Sequence, residues 1–202
     1  MRTLVNSLRL VAVIAVVAAV LGQWLVSSKS PDYLFWNFFG YFTIQSNIVI
    51  AVALALTLVA AARRKRGDVL VSGFRGAATV YIATTGVVYN TLLVGAAVEN
   101  TVPWSNDLLH KWIPLYAVLD WLLFSDRARL LLRHVWWFLV YPAVWLAVVL
   151  IRGATDGWVP YPFLNPEQGY GVVSLYCLGV AVFIGLMGIL VVGMSRLRIV
   201  KV

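Results

Sequence analysis

The sequence predicts an all-α protein, a polytopic membrane bundle of six transmembrane helices with both termini on the cytoplasmic side. Three observations predict it. Hydrophobic residues make up 62% of the 202 and charged residues only 12%. That is about half the charge of a soluble domain, with more apolar surface than a core of this size would hide. The apolar residues fall in continuous runs close to the ~20 that cross a bilayer as a helix, without the alternation of a membrane β-barrel. The basic residues gather at alternate ends of those runs.

The first span covers about 8–26. Arg2 and Arg9 precede it as in a signal peptide, but its apolar stretch is longer than a signal core and no small-x-small cleavage site follows cleanly. The second covers about 36–62 and stops at Arg63-Arg64-Lys65-Arg66. The third runs over about 74–98. The fourth, about 107–124, is shorter and carries Pro114; the fifth, about 135–151, carries Pro142; the sixth covers about 170–194. The prolines kink or start helices, and neighbouring helices can satisfy the carbonyls they free. The spans use most of the chain, so residues 1–202 form a single integral membrane domain.

Arg2, Arg9, Arg63, Arg64, Lys65, Arg66, Arg75, Arg127, Arg129, Arg133, Arg196, Arg198 and Lys201 fall on one side, against Lys29, Lys111 and Arg152 on the other. Positive charge stays inside during insertion, which orients both ends toward the cytoplasm and the protein in the plasma membrane. Three loops then lie outside, near 27–35, 99–106 and 153–169. Trp24, Trp36, Trp104, Trp112 and Trp158 fall near the outer boundary, Trp136 and Trp137 near the inner one, an aromatic belt on both faces. The net charge of +8 is accounted for by these clusters. A nucleic-acid partner would need a basic face with interleaved aromatics, so the expected partners are membrane lipids. Cys177 has no second cysteine to pair with and reads as a small buried hydrophobe. No metal and no cofactor are expected, no repeat suggests a transporter-like inverted duplication, and the oligomeric state stays open.

Topology permits a comparison of depth. Thr43 lies about seven residues into its span, roughly 10 Å below the outer surface. Ser46 and Asn47 share its helix face by i, i+3, i+4 spacing, and Gln45 points elsewhere. Asn90 on the third span and His110 at the start of the fourth reach a similar depth, as do Thr91, Gln23 and Ser174. An ionisable group inside a span marks a functional site by default. Thr43 with His110 supplies a nucleophile and a base, and Ser46, Asn47 or Asn90 could stabilise an oxyanion. The plainer alternative is that Thr43 bonds back to its own helix, that His110 anchors at the interface, and that the Ser, Asn and Gln residues bond helices together. Asp120 lies about 15 Å from His110 along its helix; Arg75 is its expected partner in a structural ion pair. Arg152, at the outer end of the fifth span, suits either a substrate carboxylate or headgroup, or a snorkelling role.

The stretch Asn37-Phe38-Phe39-Gly40-Tyr41-Phe42-Thr43-Ile44-Gln45-Ser46-Asn47 resembles a signature of bacterial six-span relatives of the androgen-induced-gene family. So do His110-Lys111-Trp112-Ile113-Pro114 continuing to Asp120-Trp121, Tyr141-Pro142, Arg152-Gly153 and Tyr161-Pro162-Phe163, in the same order over most of the chain. The family's animal members are membrane hydrolases that cleave fatty-acid esters of hydroxy fatty acids with a threonine and a histidine. The resemblance implies a lipid ester as substrate, with Thr43 and His110 at those two positions. The competing expectation is a non-enzymatic lipid- or small-molecule-binding membrane protein, or a small transporter, motivated by Asp120, Arg75 and Arg152. A transporter requires a polar path through the whole bilayer, whereas a hydrolase requires only a one-sided pocket.

Overall fold

A computed structural model describes residues 1–63, 67–94 and 101–201. Those residues form eight α-helices: α1 Arg2–Ser27, α2 Phe35–Gly40, α3 Phe42–Ala62, α4 Val69–Val88, α5 Pro103–Asp107, α6 Ile113–Leu123, α7 His134–Thr155 and α8 Tyr170–Met194. Two π-helical segments, Tyr89–Leu93 and Leu108–Trp112, extend α4 and join α5 to α6. Among the described residues the only β-type pairing is an isolated bridge between Phe124 and Val200. The protein is all-α, and α1, α3, α7 and α8 are long and apolar enough to cross a membrane.

The helices follow the apolar runs, with informative differences. The stretch expected as one helix over 36–62 is two: Tyr41 takes an extended conformation (φ −62°, ψ 130°) between α2 and α3. The break is held by side chains that satisfy the carbonyls it frees. Gln45 donates to Phe39 O at 2.8 Å and Trp145 to Gly40 O at 2.8 Å. The run expected over 107–124 begins at Pro103 and passes through the π segment into α6. The third begins earlier than expected, at Val69, where Asp68 caps the helix through Leu70 N and Val71 N. Its expected end near Val98, and the cluster Arg64-Lys65-Arg66, lie outside the described residues.

α4 occupies the centre, packed against α3, α6, α7 and α8. Gly76, Ala77, Ala78, Ala83, Thr84, Thr85 and Gly86 keep its surface small enough for neighbours to approach closely. α1 carries the reverse pattern of a soluble helix. Ala12, Val16, Ala19 and Arg9 face the bundle, while Leu4, Leu8, Val11, Ile14 and Leu25 are exposed.

The charges at the end of the bundle remote from Thr43 depart from expectation. Arg9, expected as a loop charge before the first span, lies within α1 and is fully buried. Its Nε donates to Asp120 Oδ1 at 2.7 Å, and Arg75, the expected partner, also pairs with Asp120, through Oδ2 at 3.7 Å. Asp126, in the turn after α6, completes the cluster through Arg9 and, at 3.0 Å, through Arg75. Two guanidiniums and two carboxylates thus neutralise one another and tie α1, α4 and α6 together. Arg127 from the same turn lies over the Trp121 ring and donates to Met194 O at 2.7 Å, capping the end of α8.

Candidate active site

The site begins at the break between α2 and α3. Because Tyr41 is extended, Thr43 falls in the first turn of α3, where amide N–H groups have no partner within the helix. Other helical threonines, Thr57, Thr79, Thr84 and Thr91, bond back to the carbonyl four residues earlier at 2.7–2.8 Å. For Thr43 that carbonyl belongs to Phe39 and is taken by Gln45. Its hydroxyl is left for other partners, and Thr43 Oγ1 lies 3.2 Å from His110 Nε2.

His110 is oriented from its other nitrogen. Nδ1 lies 2.9 Å from the Asn106 carbonyl, an oxygen that can only accept. The proton therefore sits on Nδ1, and Nε2 presents a lone pair to the Thr43 hydroxyl. The imidazole stacks on Tyr89, ring centroids 3.8 Å apart, and Tyr89 Oη accepts from Asn106 Nδ2 at 2.6 Å. Tyr89 and Asn106 thus hold the ring in plane and direction.

The π segment Leu108–Trp112 carries this histidine. Pro114 has no N–H, so two carbonyls lose their donor: Leu109 in the π register and His110 in the α register. Asn47 Nδ2 donates to Leu109 O at 3.2 Å and to Thr43 O at 2.9 Å. Asn90 Nδ2 donates to His110 O at 3.1 Å and to Gly86 O at 2.7 Å. Ser46 bonds Thr43 O at 3.1 Å and Thr85 Oγ1 at 2.8 Å. The structure therefore brings Thr43, Ser46, Asn47, Asn90 and His110 together. The amide donors of Asn47 and Asn90 are directed at main-chain carbonyls that shape the site.

Arg152 is apart from this group. It pairs with Asp156 at 2.7 Å, donates to Asn37 Oδ1 at 2.8 Å and lies over the Trp158 ring. Gln23 accepts from Val102 N at 2.9 Å, tying α1 to the start of the α5 segment.

Beside Thr43 lies a cavity of about 320 Å³ between α3, α4, α7 and α8. That is within the range of small-molecule sites. Its wall is aliphatic and aromatic, with Thr43, Thr84, Thr85, Tyr89, Tyr161 and Cys177 as the polar contributors; His110 stands behind Thr43, outside the lining. Among the described residues no Asp, Glu, Lys or Arg lines it. Sequence reasoning assigned no role to Tyr161, which reaches from the α7–α8 connection to within 3.3 Å of Thr43 N and 3.5 Å of Thr43 Oγ1. The signal was a tyrosine between Pro160 and Pro162 in an aromatic-rich loop. Among the described residues no group of His, Cys, Asp and Glu could hold a metal ion. The chain matches no protein-family model, no curated protein and no solved structure.

Proposed function

We propose that this chain is a plasma-membrane protein crossing the bilayer six times, with both termini in the cytoplasm, and that it hydrolyses a fatty-acid ester with Thr43 as nucleophile and His110 as base. The six spans would be α1, α3, α4 with its π extension, the run from Pro103 to Leu123, α7 and α8. Lipid would cover the exposed apolar faces, and Trp36, Trp104, Trp112, Trp136 and Trp137, all largely exposed, would sit at the two interfaces. α4 and the fourth run are more polar because they pack centrally and because the latter is broken to build the site.

One observation carries the chemistry: a threonine hydroxyl 3.2 Å from the unprotonated nitrogen of a fixed imidazole, at the wall of an apolar cavity to which the described residues bring no charge. An ester whose acyl chain fills that cavity brings its carbonyl carbon to Thr43 Oγ1. Oγ1 attacks, its proton passes to His110 Nε2, and the carbonyl electron pair moves onto oxygen. Collapse breaks the bond to the alcohol oxygen, which takes the proton from Nε2 and leaves an acyl-threonine. Water then attacks, giving its proton to Nε2; the acyl–Oγ1 bond breaks, the fatty acid departs and Thr43 regains the proton. The Asn106 carbonyl stabilises the transient imidazolium in place of a carboxylate.

A long-chain fluorophosphonate probe tests this on purified protein in nanodiscs. It labels the wild type and neither Thr43→Ala nor His110→Ala; undiminished labelling of Thr43→Ala removes the proposal. Reporter fusions at each terminus test the orientation. Among the described residues the partner of His110 Nδ1 is a main-chain carbonyl and not a carboxylate, which favours a second reading, a lipid-binding protein without turnover. It predicts saturable fatty-ester binding and no labelling of any variant.

A further inference from the structure

We propose that Tyr161 is a catalytic residue of this site, its phenol donating the hydrogen bond that stabilises the oxyanion formed when Thr43 attacks an ester. The inference rests on the Thr43–His110 reading and adds the electrophilic half, for which the Ser and Asn side chains are committed elsewhere.

Three observations carry it. Position comes first. Tyr161 Oη lies 3.5 Å from the attacking oxygen, lines the same cavity, and stands beside Thr43 together with His110 Nε2 at 3.2 Å. A carbonyl approaching Thr43 from the cavity meets a base and a hydroxyl donor at one point. The direction of the proton comes next. Tyr161 Oη accepts the Thr43 N–H at 3.3 Å, one of the free donors of the α3 first turn. With a lone pair so used, the phenol proton is turned away from that amide and is available to a substrate oxygen. Accepting a hydrogen bond also polarises the O–H and makes it a stronger donor.

Rigidity is the third. The Tyr161 ring is stacked on Phe163 (5.4 Å between centroids, 9° between planes) and meets Tyr41 edge-on at 5.9 Å and Trp145 at 6.0 Å. Prolines on both sides restrict the backbone, and Pro162 opens a short 3-10 turn. A donor fixed before the reaction reorganises little during it, which is the property of an oxyanion hole. Burial raises the phenol to about 12, so it holds its proton throughout the neutral range.

During attack the carbonyl π pair moves to oxygen, which accepts the Tyr161 O–H without taking its proton. On collapse the pair returns to the C=O bond as the alcohol leaves, and the phenol is unchanged. The same donor serves deacylation by water.

The experiment uses the full chain in nanodiscs, with p-nitrophenyl octanoate as substrate and an octyl trifluoromethyl ketone as tetrahedral analogue. Tyr161→Phe keeps the ring and removes the hydroxyl. It lowers kcat by about 10²–10³-fold with KM little changed, and weakens inhibition by the ketone by a similar factor. Wild-type kcat in the variant, or a loss confined to KM, overturns the assignment. So does a fall in kcat with ketone inhibition intact. If Tyr161→Phe does not fold, 3,5-difluorotyrosine at 161 preserves the shape and makes the phenol more acidic. An alkaline fall in kcat then appears at the fluorinated phenol's own ionisation, and its absence overturns the assignment. Thr43→Ala, run alongside, separates the two levels. Turnover lost in Thr43→Ala but kept in Tyr161→Phe refutes only the role of Tyr161. A wild type without turnover refutes the hydrolase and this role together.

Discussion

Asn90 donates its side-chain amide to the main-chain carbonyl of His110 at 3.1 Å, one of the two carbonyls that an N–H at position 114 would serve. Asn47 supplies the other, Leu109. Pro114 therefore opens the helix beside the histidine, and two asparagines from α3 and the α4 extension close the deficit. In the bilayer proposed for this chain, a carbonyl left without a donor costs about 1–3 kcal/mol. Asn47→Ala and Asn90→Ala should each destabilise by that amount in reversible unfolding in mixed micelles. Pro114→Ala restores an N–H, so in a double-mutant cycle it should reduce the cost of Asn90→Ala. Strict additivity of the two changes would refute this account.

The Arg9–Asp120–Arg75–Asp126 cluster makes an acid-stability prediction. Burial opposes the charge on Asp126, but the Arg9 hydrogen bond and the charges of Arg75 and Arg9 outweigh it. They hold the carboxyl well below its ordinary value of 3.8. Because the folded-state value is depressed, the unfolded chain binds the proton more readily. The stabilisation is present in full above the unfolded value and drains away as pH falls below about 3.8. Melting temperatures in micelles should be insensitive to this group near neutrality and fall below that pH. Asp126→Asn should lose that acid-dependent component. It should also be less stable at pH 7 by about 3–5 kcal/mol, since two buried guanidiniums then share one carboxylate.

What the sequence disclosed, and what it concealed, divides by range of interaction. The apolar runs fixed which segments become long helices, because burial against lipid or protein is a local property of each run. Depth counting brought Thr43 and His110 to one level, because rise per residue is nearly constant in any helix. Three features escaped such reasoning. Tyr41 breaks a continuous apolar run, and the break is stable only because Gln45 and Trp145 arrive from elsewhere on α3 and α7. Arg9 counts toward a topology signal until Asp120 and Asp126, remote in sequence, bury it. Tyr161 sits in a connection whose inward fold depends on Tyr41, Trp145 and Phe163. Asn47 and Asn90 fell on the expected level, but the direction of their amides was set by the carbonyls that Pro114 leaves open.

Gly86 is the point at which α4 meets that kink. A Cβ there would lie 2.8 Å from Pro114 Cβ and 3.5 Å from His110 O. Both neighbours belong to a rigid ring and a main chain, so neither can move aside cheaply. Gly86→Ala should cost about 1–3 kcal/mol despite the better helix propensity of alanine. It should also lower fluorophosphonate labelling beyond what the loss of folded protein explains, because the displaced segment carries His110. Gly185→Ala on α8 is the control. Nothing lies within 4 Å of its Cβ, so it should be neutral or stabilising by up to about 1 kcal/mol. Equal behaviour of the two variants would contradict the close-approach argument.

The cavity makes the last prediction, about chain length. Ala181 on α8 is one of the small residues in the cavity wall, beside the larger Val180 and Ile184. Ala181→Phe places a ring inside a space of about 320 Å³ while leaving Thr43, His110 and Tyr161 untouched. Each methylene kept out of the cavity forfeits about 0.8 kcal/mol, roughly fourfold in kcat/KM. Across p-nitrophenyl esters from acetate to dodecanoate, the wild type should gain with each added methylene until the cavity is filled. The variant should stop gaining several methylenes earlier, with the acetate rate unchanged. A uniform loss at every length would mean that the ring disturbs the reacting groups. An unchanged profile would mean that the acyl chain lies elsewhere, against the outer faces of the helices, and that the cavity beside Thr43 has another occupant.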